Sequence, residues 1–369
     1  MCEKSVEMKK IAWITPSAYM DTDFYIVPLL CEYYHIDWFI LYKDKIPYEK
    51  ELNKLNGTDN LAINLYEQAS RQRSLKTALS DIKLFGHIEK KKYDIIYAGM
   101  FGFPFFHVLS ALILNRNKVV IAAHNVNTPK GASNYWFAKA YASYVLSVFK
   151  NFQTFSESQR KLLLRMHPHK KVLMAPFLLK DYGNSTNKKS EVITFLSFGN
   201  IRDYKRIDVL INAAQNAFDK TKILFKVIIA GKCDNWARYQ AIIKYPQLFD
   251  LRIGRVENDD IPNLFGESHY FVTPYQDIAQ SGSVIVAINY ECPVIASNLE
   301  AFREYVTDGE TGYLIKPADV EALTAVMIDI LVSNNANYKN MRNRIKKIKD
   351  TDFNSQAIID KYIAFFDKL

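Results

Sequence analysis

Short β-rich runs alternate with longer amphipathic segments twice along this chain, and this alternation limits its possible folds more than any other feature. The first series has six candidate strands: Lys10–Thr15, Ile36–Tyr42, Tyr93–Ala98, Val119–Ala123, Phe152–Phe155 and Val172–Ala175. Segments such as Ser70–Lys90 and Asn134–Phe149 are long enough to return the chain to the next parallel strand. The pattern predicts an α/β domain of Rossmann-like architecture.

The alternation restarts after a polar segment over residues 181–190, which we predict to be a linker. Four further strands follow, at Val192–Phe198, Leu224–Ala230, Tyr270–Thr273 and Pro293–Ala296. Because 369 residues exceed what one hydrophobic core usually organises, we predict two domains, over residues 1–180 and 191–350. Residues 351–369 are amphipathic, and we expect a helix there that packs back towards the N-terminal domain.

The composition excludes several classes of protein. With 49% hydrophobic and 24% charged residues, the chain is neither disordered, nor collagen-like, nor a disulfide scaffold. Its four cysteines lie too far apart for a zinc site, which favours a reducing compartment, and we expect a cytoplasmic protein without a signal peptide. The longest apolar stretch, Phe101–Leu114, falls short of the ~20 residues that a membrane-spanning helix needs.

The net charge of +9 lies entirely in the N-terminal half. Residues 1–180 hold 25 Lys and Arg against 15 Asp and Glu, whereas residues 181–369 hold 23 against 24. A basic surface attracts nucleic acid, an acidic lipid leaflet or a phosphorylated acceptor. No helix-turn-helix, zinc finger or stacking platform accompanies the charge, so we expect no nucleic-acid partner.

A basic, glycine-containing loop follows the first strand of the second domain. Gly199 allows a tight turn and is followed by Asn200, and Arg202 and Lys205 then precede a predicted helix over Ile207–Phe218. The positive end of the helix dipole adds to these two cations. The loop therefore predicts an anion site of a size that suits phosphate, with a solvated basic loop as the alternative.

A second polar loop follows the strand Tyr270–Thr273. Ser281 and Ser283 are expected to cap a helix that begins there, and Gly282 lets a ligand approach backbone N–H groups closely. The two loops together offer more donors than one carboxylate uses, which predicts a diphosphate ligand. The alternative is that the serines serve only as a helix cap.

A third segment over residues 293–317 completes a resemblance. The patterns G-x-I-R-x-Y-K from Gly199 and P-Y-x-D-I-x-x-S-G from Pro274 precede it. In this order and spacing, the three elements resemble the nucleotide-sugar-binding domain of retaining glycosyltransferases of family 4, especially bacterial members that build polysaccharides on lipid carriers. The resemblance covers residues 193–369 and implies a GT-B fold, in which two Rossmann-like domains face each other across a cleft.

The resemblance assigns donor-binding roles to particular residues. Arg202 and Lys205 fall on the basic pair that holds the donor diphosphate, and Gly231 falls on the glycine that ends the second strand. Arg255 and Val256 fall on the loop whose backbone contacts the base.

The sequence departs from the family pattern at two glutamates. Asp277 is the acid nearest to the first of them, which lies near the transferred sugar. The second, which holds the ribose, falls on Val286 or Ala287. The ribose must therefore be held by other groups.

Two polar groups follow strands of the N-terminal half. His124 comes directly after Val119–Ala123 and matches the family's histidine near the transferred sugar, where imidazole would bond a sugar hydroxyl or the departing phosphate. A structural role is the alternative. Asp21 and Asp23 are interpreted as a surface or helix-capping pair rather than a metal site, because no other hard-cation ligand accompanies them.

We therefore predict a hexosyltransferase that moves a sugar from a UDP- or GDP-linked donor to a hydroxyl of a glycan acceptor. The resemblance implies a lipid-linked acceptor, a role in cell-surface polysaccharide synthesis, retention of configuration, and no cofactor or obligatory metal. Two alternatives remain open: a catalytically silent subunit that binds nucleotide sugars, favoured by the missing ribose glutamate, and a sugar epimerase with the GT-B fold.

Basic and aromatic side chains of the N-terminal half suggest a membrane partner. One predicted helix carries basic residues at Arg71, Arg73, Lys76, Lys83 and Lys90 to Lys92, and another carries aromatic residues at Tyr135, Trp136, Phe137, Tyr141, Tyr144 and Phe149. The hypothesis is reversible docking on the anionic inner face of the cell membrane. The alternative is that the aromatic rings face the domain core.

Overall fold

The computed structural model describes residues 8–68, 74–100, 105–128, 134–278 and 281–369. The chain forms two compact units. Unit 1 comprises Met1–Leu178 together with Ser355–Leu369, and unit 2 comprises Leu179–Asn354. Each unit contains one parallel sheet with interleaved helices, which confirms the fold class predicted from the alternation.

The sheet of unit 1 has seven strands. They are β1 (Lys10–Pro16), β2 (His35–Tyr42), β3 (Leu61–Glu67), β4 (Ile95–Gly99), β5 (Val119–Ala123), β6 (Asn151–Thr154) and β7 (Lys171–Met174). They pair in parallel in the order β3-β2-β1-β4-β5-β6-β7. The intervening helices are α1 (Met20–Leu30), α2 (Glu49–Lys54), α3 (Leu75–Lys91), α4 (Phe106–Ile113), α5 (Tyr135–Val148) and α6 (Glu157–Met166).

The sheet of unit 2 has six strands. They are β8 (Thr194–Phe198), β9 (Lys226–Gly231), β10 (Phe249–Ile253), β11 (Tyr270–Thr273), β12 (Val294–Ser297) and β13 (Gly312–Ile315), paired in parallel in the order β10-β9-β8-β11-β12-β13. The helices are α7 (Ile207–Thr221), α8 (Ala237–Gln240), α9 (Ile261–Glu267), α10 (Gly282–Asn289), α11 (Glu300–Arg303), α12 (Val320–Val332) and α13 (Tyr338–Thr351).

The last helix, α14 (Ser355–Phe366), belongs to unit 1. Its buried face meets the β1 and β4 side chains Trp13 and Tyr97, whose rings stack with centroids 3.7 Å apart. The amide of Gln153 joins the helix to the sheet, because it accepts from the Tyr97 hydroxyl and donates to the Tyr362 hydroxyl. The C-terminal helix and the N-terminal sheet, which lie far apart in the sequence, thus share one core.

The segment over residues 181–190, predicted to be a linker, has no helix or strand. It is nevertheless fixed to unit 2 through Asn263 of α9. The Asn263 side-chain oxygen accepts hydrogen bonds from the Thr186 backbone N–H at 2.9 Å and from the Ser185 hydroxyl at 3.2 Å.

Each sheet has one point at which the order of strands reverses. In unit 1 the reversal lies between β1 and β4, and in unit 2 it lies between β8 and β11. In open parallel sheets of this kind, ligands bind outside the carboxyl ends of the two strands at the reversal. The loops that follow β8 and β11 are the two loops that the sequence predicted to bind phosphate.

Across the described ranges, none of the helices combines the length and the apolar character that crossing a bilayer requires.

Candidate functional site

Three glycines line the carboxyl ends of neighbouring strands in unit 2. Gly199, Gly231 and Gly254 follow or end β8, β9 and β10 and have φ values of +101°, +146° and +155°. Backbone bonds tie them together, since the Gly199 N–H donates to Ala230 O at 2.9 Å and the Gly254 N–H to Gly231 O at 3.2 Å. The most crowded position is Gly231, where a Cβ would lie 2.2 Å from the Gly199 carbonyl oxygen.

Lys205 lies buried at the reversal between β8 and β11. Only 7% of the residue is exposed, and its Nζ donates to the Phe198 carbonyl over 3.4 Å and lies 5.5 Å from the centre of the Tyr275 ring. Among the residues that the structure describes, no carboxylate forms an ion pair with it. Burial lowers the pKa of this ammonium, and the neighbouring Tyr204 opposes that shift. An ammonium in this setting still has donors to offer to an anion.

Arg202, the other predicted diphosphate ligand, has a different environment. Its side chain is about half exposed and forms an ion pair with Asp234 at the surface. Asn200 is also exposed. Surface ion pairs contribute little to stability, so a phosphate would compete with Asp234 for the guanidinium at small cost.

The loops after β8 and β11 contact each other directly. The Gln276 N–H donates to Tyr204 O at 2.8 Å, and the rings of Tyr204 and Tyr275 meet edge to face at 5.5 Å. Tyr275 is buried, and burial raises its pKa to about 12. The structure therefore brings the two predicted phosphate-binding loops together around one buried tyrosine.

The serines at the start of α10 do not cap it as expected. Ser281 occupies the N-cap position, but its hydroxyl makes no capping bond. It lies 3.0 Å from the Ser283 hydroxyl, and the two serines oppose the rise in the pKa of Tyr275. The helix thus begins at Gly282 without a side-chain oxygen on its first N–H groups, which are the groups that bind anions at helix N-termini.

The other predicted donor-binding residues, Asp277, Arg255 and Val256, are exposed or half-buried. Asp277 is exposed, and Arg255 is exposed and pairs with Glu257 at 3.0 Å, beside the half-buried Val256. Val286 and Ala287, where the ribose glutamate would fall, are buried in α10. A charged side chain at either of these positions would be buried.

In unit 1, His124 immediately follows the strand β5. Its ring stacks on Tyr19, with centroids 4.0 Å apart, and on Phe155 at 4.5 Å, and Phe155 in turn stacks on Phe177 at 4.4 Å. Tyr19 follows β1, so this aromatic cluster lies beside the strand-order reversal of unit 1. The sequence located His124 at a strand end, but the stacking partners come from loops whose proximity only the fold reveals.

The interpretation of Asp21 and Asp23 as a surface or capping pair was wrong for Asp23. This carboxylate is buried and accepts hydrogen bonds from the Thr15 hydroxyl at 2.6 Å and from the Trp13 indole at 3.0 Å. Burial raises its pKa to about 7, although both hydrogen bonds oppose the shift. Asp23 faces inward because two residues of β1 supply the donors that a buried carboxylate needs.

Sequence comparison identifies a family for part of unit 2. Residues 180–349 match the family described as glycosyl transferases group 1. A curated relative from Klebsiella pneumoniae, described as an uncharacterized 41.2 kDa protein in the cps region, is 23% identical over 186 residues. This match covers 50% of the chain and 48% of the relative, so the chain spans about half the length of the curated relative it matches.

Structural comparison extends the similarity to almost the whole chain. A glycosyltransferase from Rickettsia africae matches with a TM-score of 0.74 at 18% identity, covering 98% of each chain. Anabaena HepE, crystallised with UDP and glucose, matches with a TM-score of 0.74 at 14% identity, covering 98% of this chain and 100% of HepE. Sucrose-phosphate synthase from Thermosynechococcus elongatus matches with a TM-score of 0.73 at 16% identity, covering 98% of each chain. The chain therefore has the GT-B fold of these glycosyltransferases, and residues 180–349 match the group 1 glycosyl transferases.

Proposed function

We propose that this protein is a glycosyltransferase that moves a hexose from a UDP- or GDP-linked donor to a hydroxyl of a glycan acceptor. One observation carries the proposal: the buried Lys205 ammonium and the uncapped start of α10 meet around Tyr275 at the strand-order reversal of unit 2. The family match over residues 180–349 and the UDP bound to HepE support the same donor chemistry. We assign the enzyme to family 4 on its sequence motifs.

The proposed reaction breaks the bond between the sugar carbon and the diphosphate oxygen and forms a bond from that carbon to the acceptor oxygen. The diphosphate leaves with the bonding electrons, and its growing negative charge is stabilised by Lys205, Arg202 and the first N–H groups of α10. The departing phosphate accepts the acceptor proton on the same face, which retains the configuration. Asp277 is assigned to the sugar hydroxyls, and the backbone of Arg255 and Val256 to the base. No cofactor and no metal enter this proposal.

A panel of UDP- and GDP-sugars tests donor binding. A ligand present at 100 times its dissociation constant stabilises the native state by about 2.7 kcal/mol, so the correct donor should raise the melting temperature measurably. Adenosine and cytidine diphosphates serve as controls. Stabilisation by no member of the panel would contradict the proposed donor class.

A catalytically silent nucleotide-sugar-binding subunit is the second candidate. It is favoured by the missing second glutamate, since the apolar Val286 and Ala287 stand where the family pattern has the carboxylate that holds the ribose. Such a subunit would bind a donor from the panel but would neither hydrolyse nor transfer its sugar.

Two variants of His124 test whether its imidazole bonds to the transferred sugar or to the leaving phosphate. His124→Ala should lower turnover about 10- to 100-fold, because one charge-assisted hydrogen bond to the sugar or the leaving phosphate is lost, while donor affinity stays nearly intact. His124→Phe preserves a ring that can stack on Tyr19 and Phe155 but has no ring nitrogen. Steady-state kinetics of both variants decide the role: wild-type turnover in His124→Phe would make His124 a structural residue.

We further propose that the acceptor is lipid-linked and that transfer takes place on the inner face of the cell membrane, in the assembly of a cell-surface polysaccharide. The place of the Klebsiella relative in the cps region supports the polysaccharide assignment. The membrane assignment rests on exposed apolar side chains of three helices of unit 1. They are Leu75, Leu79 and Ile82 of α3, Leu112 of α4, and Trp136 and Phe137 of α5.

Exposure divides the predicted aromatic residues into two groups. Trp136 and Phe137 are 78% and 55% exposed, whereas Phe149 is buried and Tyr141 and Tyr144 pack against the core. The alternative that these rings face the core therefore applies to Tyr141, Tyr144 and Phe149 but not to Trp136 and Phe137. Trp136 has the amphipathic ring that suits the headgroup region of a bilayer.

Lysines lie on two of the helices that carry these exposed apolar side chains. Lys76 and Lys83 of α3 are exposed, and Lys139 Nζ lies 5.6 Å from the centre of the Trp136 ring. Arg71 and Arg73, which belong to the same prediction, lie outside the described residues. Each lysine near an anionic leaflet contributes about 1 kcal/mol, so the combination suits weak, reversible docking.

Flotation with liposomes tests the docking. Recovery with vesicles should grow with the fraction of anionic lipid and fall as salt screens the charges. The double variant Leu75→Gln, Trp136→Gln should lose most of the binding, whereas Leu224→Gln, which replaces an exposed leucine of unit 2, should keep it. Equal recovery with neutral and anionic vesicles, or recovery with neither, would reject the assignment.

A further inference from the structure

Aromatic rings cover both faces of the His124 imidazole. Tyr19 stacks on it with ring centroids 4.0 Å apart and planes inclined by 10°, and Phe155 stacks on it at 4.5 Å and 24°. Two rings this close to a third cannot share one of its faces without overlapping, so Tyr19 and Phe155 lie on opposite faces. Polar contacts of the imidazole can therefore form only at its edge, which carries both nitrogens.

The two covering rings are themselves fixed by separate parts of unit 1. Tyr19 ends the short 3-10 helix Ser17–Tyr19, and the start of α1 that follows is tied to β1, because the Asp23 carboxylate accepts hydrogen bonds from two side chains of that strand. Phe155 directly follows β6, is buried, and stacks on Phe177 at 4.4 Å. The imidazole is thus held between one ring from each side of the strand-order reversal.

Stacking on both faces limits how the imidazole can turn. A free histidine side chain rotates about two bonds, and a hydrogen bond weakens steeply when its donor points away from the acceptor. Two covering rings fix the plane of the imidazole, so its nitrogens keep a constant direction at the carboxyl end of β5. A group that is oriented before the substrate arrives loses less entropy in reaching the transition state.

We propose that Tyr19 and Phe155 are positioning residues, which hold the His124 imidazole so that a ring nitrogen meets the transferred sugar or the leaving phosphate. This inference rests on the proposed function and on the role given there to His124. Tyr19 is the better residue to replace, because it is only half-buried, whereas a small side chain in place of Phe155 would leave a buried cavity.

A double-mutant cycle between Tyr19 and His124 tests the proposal. Tyr19→Leu removes the flat ring and should lower kcat about tenfold, while KM for the donor stays nearly unchanged. In a His124→Ala background the same substitution should have little further effect, because the group that Tyr19 positions is gone. Tyr19→Phe should recover most of the loss. The control is Tyr33→Leu, which replaces a half-buried tyrosine after α1 and should behave as wild type.

Proton NMR of the wild-type protein measures the stacking itself. Aromatic ring currents shift protons that lie over a ring face upfield, so the carbon-bound imidazole protons of His124 should resonate upfield of those of an exposed histidine. His124→Phe assigns these signals by their loss. Signals at the positions of an exposed histidine would overturn the proposal, even if Tyr19→Leu failed to fold.

The kinetic results separate this inference from the proposed function. Equal losses from Tyr19→Leu in both backgrounds would show that Tyr19 acts independently of His124 and overturn the proposal. Wild-type kcat in Tyr19→Leu, with turnover still reduced in His124→Ala, would also overturn it and leave the proposed function standing. Wild-type turnover in His124→Ala would remove the role of His124 and this inference with it. A wild-type protein that transfers sugar from no donor would overturn the proposed function and this inference together.

Discussion

Lys205→Met should lower the rate of sugar transfer by about 100-fold or more, the usual loss when one group that stabilises developing charge is removed. Methionine fills the buried space beside Tyr275 but cannot donate to the leaving diphosphate. Because it replaces a desolvated ammonium with an apolar side chain, the unliganded protein should melt no lower than the wild type. Turnover numbers and melting curves together test this prediction.

The two readouts distinguish a ligand site from a structural role. If Lys205 served only to hold the loop after β8, Lys205→Met would lose stability and activity in parallel. Lys220→Met is the control, since Lys220 lies on α7 with its side chain exposed and pairs with Glu321 at the surface. Arg202→Ala should reduce turnover less than Lys205→Met, because the exposed Arg202 is already paired with Asp234. Wild-type turnover in Lys205→Met would contradict the diphosphate assignment.

Gly231→Ala should lower the melting temperature by about 6 to 12 °C, which corresponds to roughly 3 kcal/mol for a domain of this size. The added Cβ would lie 2.2 Å from the Gly199 carbonyl oxygen, which is backbone and cannot rotate away. The φ of +146° adds strain, since residues with a side chain rarely adopt it. The displaced Gly199 would also disturb the loop that carries Lys205, so donor binding should weaken as well.

Gly86→Ala provides the matched control. Gly86 lies inside α3, and a Cβ there would have no heavy atom within 4 Å. Alanine is favoured over glycine within a helix by up to about 1 kcal/mol, so this variant should melt at or slightly above the wild-type temperature. Circular dichroism melting curves measure both variants. A Gly231→Ala protein that melts like the wild type would contradict the close packing of β8 and β9.

The interior strands of both sheets could be predicted from sequence because they are buried on both faces. Strands such as β1 and β5 are continuous apolar runs, and a run of that kind signals a parallel strand covered by helices. The strands that the sequence did not reveal, β3, β10 and β13, all lie at sheet edges. There one side has no partner strand and much of the strand is only half-buried, so the sequence shows no continuous apolar run.

The two phosphate-binding loops were predictable for a related reason. Gly199 directly follows β8, and Lys205 and Gly282 lie further along the loops after β8 and β11. Tyr275 also lies close to the end of β11, but its contacts with Tyr204 and Lys205 join segments far apart in the chain, so only the fold reveals them. Ser281 does not cap α10 as expected, and its hydroxyl instead lies 3.0 Å from the Ser283 hydroxyl.

An NMR assay shows directly whether the protein transfers sugar, when the donor that stabilises it is incubated with an extracted fraction of lipid-linked glycans. Phosphorus spectra follow release of the nucleoside diphosphate, and proton spectra follow the anomeric signal of the transferred sugar. We expect the diphosphate and a new glycoside of the same anomeric configuration to form in equal amounts, and Lys205→Met to form neither at a comparable rate. A donor that binds yet stays intact with every acceptor fraction, and is not hydrolysed, would contradict sugar transfer and leave a silent nucleotide-sugar-binding protein.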